Sequence, residues 1–394
     1  MSQRAQSAGT TIPFWRDERV IKGVAQVISA IVVIGALAFF VGNVIRAANA
    51  RGLGLGYGFL RDASGMPLGE SVIPYDPSKS YAYAFLVGIL NTLKAALLGI
   101  VLATILGTVT AVARLSSNWL VSKIASVYIE IIRNVPLLVQ LFVWYFAVFQ
   151  KLPPVRESIQ LPGSVYLSQR GLYIPRPVPM STFWTWLLLT AIAMVLAIVL
   201  YTTLTRYRLQ TGRTTYAELV AAAVLVLIPL AGWFLPGERP LTLELPEMGR
   251  FNFSGGLRLT PEYAAMVTGL VVYTGAFIAE VVRAGILAVD RGQFEAARAM
   301  GLKNIQVLRL VVFPQAMRVI IPPLISQYLN LTKNSSLAVG IGYVDLFYVG
   351  RTIINQAGQA VPVFVMVMAT YLLMSLITSI ILNIYNRRIQ LVER

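Results

Sequence analysis

The 394-residue chain contains no cysteine and no histidine. Lack of cysteine excludes disulfides, thiol nucleophiles and thiolate metal sites. Lack of histidine excludes imidazole ligands, Ser-His catalysis and the side chain whose ordinary pKa makes a pH switch near neutrality. Charge is also scarce: Asp, Glu, Lys and Arg together make up 13% of the residues, where a soluble domain carries about 25%. A Walker A pattern, Gly-x4-Gly-Lys-[Ser/Thr], is absent, so the chain cannot hydrolyse ATP by the P-loop route, and any energy must come from a partner. The stretch Arg51-Gly-Leu-Gly-Leu-Gly-Tyr-Gly58 has glycine at every second position. It lacks the Gly-x-Gly-x-x-Gly spacing and a preceding strand, and reads as a flexible or interfacial turn. Met1–Gly23 is polar and basic without an early apolar core, so no cleavable secretory signal is expected there.

What is present is apolar length. Hydrophobic residues make up 57% of the chain and the mean hydropathy is +0.69. Eight segments reach the roughly 20 apolar residues that a bilayer crossing needs: 22–45, 84–112, 123–149, 182–204, 216–235, 262–287, 318–345 and 361–386. The formal charge of +16 comes from 33 Lys and Arg scattered through the loops without a basic domain, which argues for loop bias in a polytopic protein and against nucleic acid. With the N-terminus inside, 18 of the 33 basic residues fall on cytoplasmic segments and 12 outside. That orientation puts both termini and residues 289–314 in the cytoplasm.

Residues 289–314 are the most polar island between two long apolar runs. Asp290 can cap a helix start, Gly292 frees the turn, and Gln293–Met300 are good helix formers. Glu295 is expected in the first turn, where the helix dipole favours a carboxylate. Gly301 suits a left-handed stop. Ala296, Ala297 and Ala299 would leave the flank nearly bare for another protein's backbone. Within the spans, Glu130 and Arg133, and likewise Glu280 and Arg283, stand three apart on one helix face and can neutralise each other. Pro136 would kink or restart its helix. Residues 327–336, Gln327-Tyr-Leu-Asn330-Leu-Thr332-Lys333-Asn334-Ser335-Ser336, are too polar for a span unless they line a cavity or a helix break.

Glu295-Ala296-Ala297, Gly301 and Val311-x-Phe313-Pro314 together resemble the Glu-Ala-Ala loop of permease subunits of bacterial ATP-binding-cassette importers. The block leading into the second span (Gly69–Tyr75 and Ala84–Lys94), the Glu130-x-x-Arg133-x-x-Pro136-Leu-Leu-x-Gln140 sequence of the third span, and the run at 331–335 are similar to the polar amino acid permease family, general L-amino-acid branch. In the last of these, Asn334 stands for the family's frequent Asp. The resemblance implies an all-α polytopic membrane protein, with about eight transmembrane helices around a five-helix type I importer permease core. The core would comprise 82–149 and 262–388, interrupted by an inserted helix pair with periplasmic loops at 150–261. It would be preceded by a tail at 1–21 and an extra span with a periplasmic segment at 22–81, and followed by a tail at 389–394.

The resemblance also implies function. Glu295, Ala296, Ala297, Arg298, Met300 and Gly301 would engage an ATPase as the coupling helix. Gln327, Asn330, Lys333, Asn334 and Ser335 would line the substrate path, with Lys333 holding an amino acid's carboxylate or pairing with Glu130 or Glu280. The charge pairs would be structural or would touch substrate. Expected partners are two copies of an ABC ATPase that bind ATP and Mg, a second related permease chain in preference to a homodimer, a periplasmic amino-acid-binding protein and lipid. The chain itself would hold no cofactor or metal and would not be an enzyme. It would reside in the bacterial inner membrane. The alternatives are the same machine for another small polar solute, a stand-alone secondary transporter, and a non-transporting scaffold.

Overall fold

A computed structural model of the chain describes residues 18–50 and 54–389. Most of the expected N-terminal tail, the first part of the glycine-alternating stretch, and residues 390–394 lie outside the described residues. In chain order the helices begin with α1 (Glu18–Ala50), α2 (Tyr81–Arg114), α3 (Trp119–Asn134) and α4 (Leu137–Phe142), the last prolonged by a π turn at Val143–Val148. Four strands follow: β1 (Ile159–Leu161), β2 (Val165–Ser168), β3 (Gly171–Ile174) and β4 (Arg176–Pro179). Then come α5 (Phe183–Thr211) and α6 (Ala217–Phe234), and strands β5 (Leu241–Glu244), β6 (Glu247–Met248), β7 (Phe253–Ser254) and β8 (Leu257–Leu259). The C-terminal part holds α7 (Pro261–Leu287), α8 (Arg291–Ala299), α9 (Asn304–Val307), α10 (Phe313–Asn334), α11 (Leu346–Ala357) and α12 (Ala360–Ile389).

Among the described residues, seven helices are long and apolar enough to cross a membrane, or eight when α3 and the segment Leu137–Lys151 count as one broken span. The two halves of that span meet at 106°. Pro136 lacks an N–H, and the residue before a proline is driven to extended geometry; Val135 sits at φ −103°, ψ 128°. The break strands backbone carbonyls in an apolar setting. Buried Gln140 answers this by donating Nε2–H to the carbonyls of Ile132 and Val135, both at 2.9 Å. The seventh span also differs from expectation. It runs Ile305–Ile341, starting well before residue 318 and ending before 345. A π turn at Leu308–Val312 lies just ahead of Pro314.

One compact unit contains residues 92–343 with the end of α12. Helix α7 runs through its core. Thr260 caps α7, its Oγ1 accepting from the Tyr263 N–H at 3.1 Å, and Pro261 supplies a preset first turn. Met266, Leu270 and Ile278 of α7 are fully buried. Close approach depends on missing side chains: a Cβ on Gly107 of α2 would lie 2.8 Å from the Gly275 carbonyl of α7, and one on Gly285 would lie 2.2 Å from Ile320 of α10.

The stretch 150–261 is less simple than a helix pair with proline-rich loops. Strands β1-β2-β3-β8 form one antiparallel sheet, β4 pairs with β5, and β6 with β7. Tyr166, Tyr173 and Phe253 stack into a small core, and the Tyr173 hydroxyl donates to Asn252 Oδ1 at 2.7 Å. The chain as a whole remains mostly helical.

The other unit comprises the described residues up to Asn91 together with 344–378. Its core joins Phe59, Met66, Phe85, Leu346, Val349 and Val363. Buried Asp345 caps α11, with Oδ1 accepting from the Tyr348 N–H at 2.8 Å and Oδ2 from the Tyr371 hydroxyl at 3.3 Å. Asn91 donates to the carbonyls of Glu70 and Val344.

Replacing Gln140 by leucine keeps the volume and removes both donors. Each stranded buried carbonyl costs about 1–3 kcal/mol, so Gln140→Leu should lower the melting temperature in detergent by several degrees. An unchanged melting temperature would mean that the break at Pro136 is held by something else.

Candidate functional site: a capped polar helix and the polar face of a span

Helix α8 leaves α7 after a three-residue link, 288–290. Asp290 caps it as its sequence suggests, Oδ1 accepting from the Gly292 N–H at 2.6 Å. At the other end Gly301 adopts φ +79°. The Leu302 N–H reaches the Ala297 carbonyl at 3.3 Å and the Gly301 N–H reaches the Arg298 carbonyl at 2.9 Å, the paired bonds of a Schellman stop. Both ends of the helix are therefore closed by its own sequence. Gln315 Nε2 of α10 donates to Gln293 Oε1 at 3.3 Å, which fastens α8 to the following span.

Two expectations about α8 need correction. The helix starts at Arg291 and includes Gly292, so Glu295 lies in the second turn, where the end of the dipole is weaker. Ala297 does not belong to the bare flank: it is buried in the chain's own core and anchors the helix. Glu295, Ala296, Arg298, Ala299 and Met300 are exposed. Met300 is 80% exposed and Ile305 77%, two large apolar side chains beside an otherwise polar helix.

On α10, the exposed positions Pro322, Pro323, Ser326, Asn330 and Lys333 follow helical spacing along one face. Gln327 and Asn334 are half-buried. Ser335 points inward: it is fully buried, and its hydroxyl donates to the Thr332 carbonyl at 2.9 Å. That inward hydroxyl is taken up by the helix end itself, so Ser335 drops out of any lining surface.

The intramembrane charges sort differently from the sequence expectation. Glu280 and Arg283 do pair, through Oε2 and Nη2 at 3.2 Å. Glu130 and Arg133 do not pair with each other; both are exposed, and the Arg133 guanidinium sits 5.2 Å from the Phe277 ring centroid. The other oxygen of Glu280 meets Arg114 Nη1 in an ion pair. Nothing in the sequence ties Arg114 to a residue more than 150 positions away. Lys94 stands 4.2 Å from the Tyr263 ring centroid, a cation–π contact. Lys333 has neither an ion pair nor an aromatic ring among the described residues. Pairing of Lys333 with Glu280 is pre-empted, because both Glu280 oxygens are taken by arginines.

Apolar helices of this length and number, with a polar helix emerging between two of them, define a multi-pass membrane protein. Its sequence matches the family described as binding-protein-dependent transport system inner membrane component over residues 99–223 and 219–391, and the chain belongs to that family. The YhdX protein of Escherichia coli (strain K12) is 43% identical over 100% of both chains. The general L-amino acid transport system permease protein AapQ of Rhizobium johnstonii is 43% identical over 94% of this chain and 92% of its own. The glutamate/glutamine/aspartate/asparagine transport system permease protein BztB of Rhodobacter capsulatus is 34% identical over 96% of each.

Gly301 tests the helix stop cleanly, because no heavy atom lies within 4 Å of where its Cβ would stand. In Gly301→Val only the left-handed backbone is penalised, by about 1–2 kcal/mol. Amide exchange at positions 301 and 302 should therefore speed up about tenfold while the spans keep their protection. Unchanged exchange at those two amides would refute a stop that depends on glycine.

Proposed function

We propose that the chain is the permease subunit of an ATP-driven, binding-protein-dependent importer of amino acids with a broad L-amino-acid range. The observation that carries this reading is α8: a short helix closed at both ends, anchored by Ala297 and Gln293, and presenting Glu295, Arg298 and Met300 outward. A helix closed in this way can bear a load without fraying, which an open loop cannot. The names of AapQ and BztB, both aligned along nearly the whole chain, support amino acids as the solute.

In this reading α8 docks on a cytoplasmic ATPase that binds ATP and Mg, present in two copies, one beneath this chain and one beneath a second, related permease. Both termini lie in the cytoplasm, and the membrane is the bacterial inner membrane. A periplasmic binding protein delivers the amino acid. Closure of the ATPase pair moves α8, and α8 moves the spans on either side of it, alternating access to the path. The exposed Asn330–Lys333 face of α10 lines that path. An unpaired cation facing lipid would be costly, whereas one facing water can hold a carboxylate. The stand-alone secondary transporter leaves the closed and anchored α8 without a task.

Gentle detergent extraction of the tagged chain from its native membranes should bring down a P-loop ATPase and a second permease in stoichiometric amounts. Glu295→Arg reverses an exposed charge without disturbing the core. It should leave insertion intact and reduce ATP-driven uptake of amino acids at least tenfold. A chain that purifies alone and transports without ATP after reconstitution would overturn the proposal. Uptake of a different solute class would overturn the amino-acid part only.

A further inference from the structure

Glu280 lies two turns before the end of α7, and the chain enters α8 three residues after that end. Its carboxylate is shared. Oε1 meets Arg114, the last residue of α2, and Oε2 accepts from Arg283 Nε and Nη2 at 3.3 and 3.2 Å. The same end of α2 is tied to α3, because the Ser122 hydroxyl donates to the Arg114 carbonyl at 2.8 Å. One carboxylate on the helix that leads into α8 therefore holds the junction of two other helices.

Deeper in the bundle α2 and α7 touch backbone to backbone at Gly107 and Gly275. Gly107 is seven residues before Arg114 and Gly275 five before Glu280, about 10 Å and 8 Å along the two helices. With Ile278 packed over Gly107 and Leu106 over Gly275, this close approach holds the two helices together, and the ion pair fastens the arms beyond it. If α8 carries the end of α7 sideways, the arms must move together or the pair must part. A second carboxylate waits for the released arginine. Glu130 of α3 is exposed, makes no ion pair among the described residues, and stands one turn before Arg133, whose guanidinium lies over Phe277, one turn before Glu280 on α7. The group as a whole has three arginines, 114, 133 and 283, against two glutamates.

We infer that Arg114 is a two-position latch, paired with Glu280 in the state described here and with Glu130 in the other state of the transport cycle. Displacement of α8 is thereby passed to α2 and α3. Arg114 acts through its partners and is a positioning residue. The inference rests on the proposed function, since it needs an ATPase to move α8.

The test uses the complete importer, with its ATPase, second permease and binding protein, reconstituted in liposomes. ATP hydrolysis and amino-acid uptake are both measured, so that coupling is read as uptake per ATP. Glu130→Gln is the decisive variant, because the Glu130 carboxylate makes no ion pair among the described residues and a static structural pair predicts no effect. The latch predicts that Glu130→Gln and Glu280→Gln each retain the bound ATPase and its hydrolysis but lose at least tenfold in uptake per ATP. Arg114→Lys, which keeps the cation, should stay within about threefold of the parent. Normal coupling in Glu130→Gln overturns the latch, whatever Glu280→Gln does. Failure of any ATPase to bind the parent chain would instead defeat the functional reading beneath it.

Discussion

The structure depends on one constraint: in apolar surroundings every backbone N–H and C=O must find its partner within the chain. Straight helices meet it automatically, so the informative places are those where a helix breaks or ends. At Pro136 the constraint is met by a side chain, Gln140, which spans the break. At α7 and α11 it is met by Thr260 and Asp345, which accept from first-turn amides. At α8 it is met at both ends, by the Asp290 cap and by the backbone bonds that Gly301 permits. Gln140, Thr260, Asp290 and Asp345, polar residues in an apolar sequence, each close one of these gaps.

Charge obeys a parallel rule, because an ion in a span must be paired, stacked or wetted. The chain uses all three answers. Arg114 and Arg283 share Glu280, Lys94 lies over Tyr263, and Arg133 lies over Phe277. Lys333 has neither an ion pair nor a ring among the described residues and stands on the exposed face of α10 with Asn330 and Ser326. That exposed cation is what makes the face a candidate path, and the shared carboxylate is what makes the α2–α7 junction a candidate latch. Both ideas follow from counting which charges the fold satisfies and which it does not.

Legibility differed sharply along the chain. The ends of α8 could be read from Asp290 and Gly301, because capping is local chemistry acting over two or three residues. The break at Pro136 was equally local. The strands at 159–179 and 241–259 were not legible. They are two to four residues long, two of them carry proline or glycine, and β3–β8 and β4–β5 pair across an intervening helix hairpin. Short strands of that kind have no periodicity to detect, and their stability lies in partners such as Tyr166, Tyr173 and Phe253, which no spacing rule links.

The sequence by itself therefore determined the membrane class, the number of spans, the break and the capped polar helix, because hydropathy, proline and caps act within a turn or two of their own residue. It also carried the resemblance of Glu295-Ala296-Ala297 and Gly301 to the Glu-Ala-Ala loop. Tertiary structure alone decided which way each polar side chain faces. It turned Ala297 and Ser335 inward, exposed Asn330 and Lys333, separated Glu130 from Arg133 and brought Arg114 to Glu280. The physical reason is that spacing of three or four residues fixes only which side chains share a helix face. Whether that face meets core, lipid, water or another charge is set by how the helices pack, and at Gly107 and Gly275 packing is set by atoms that are absent.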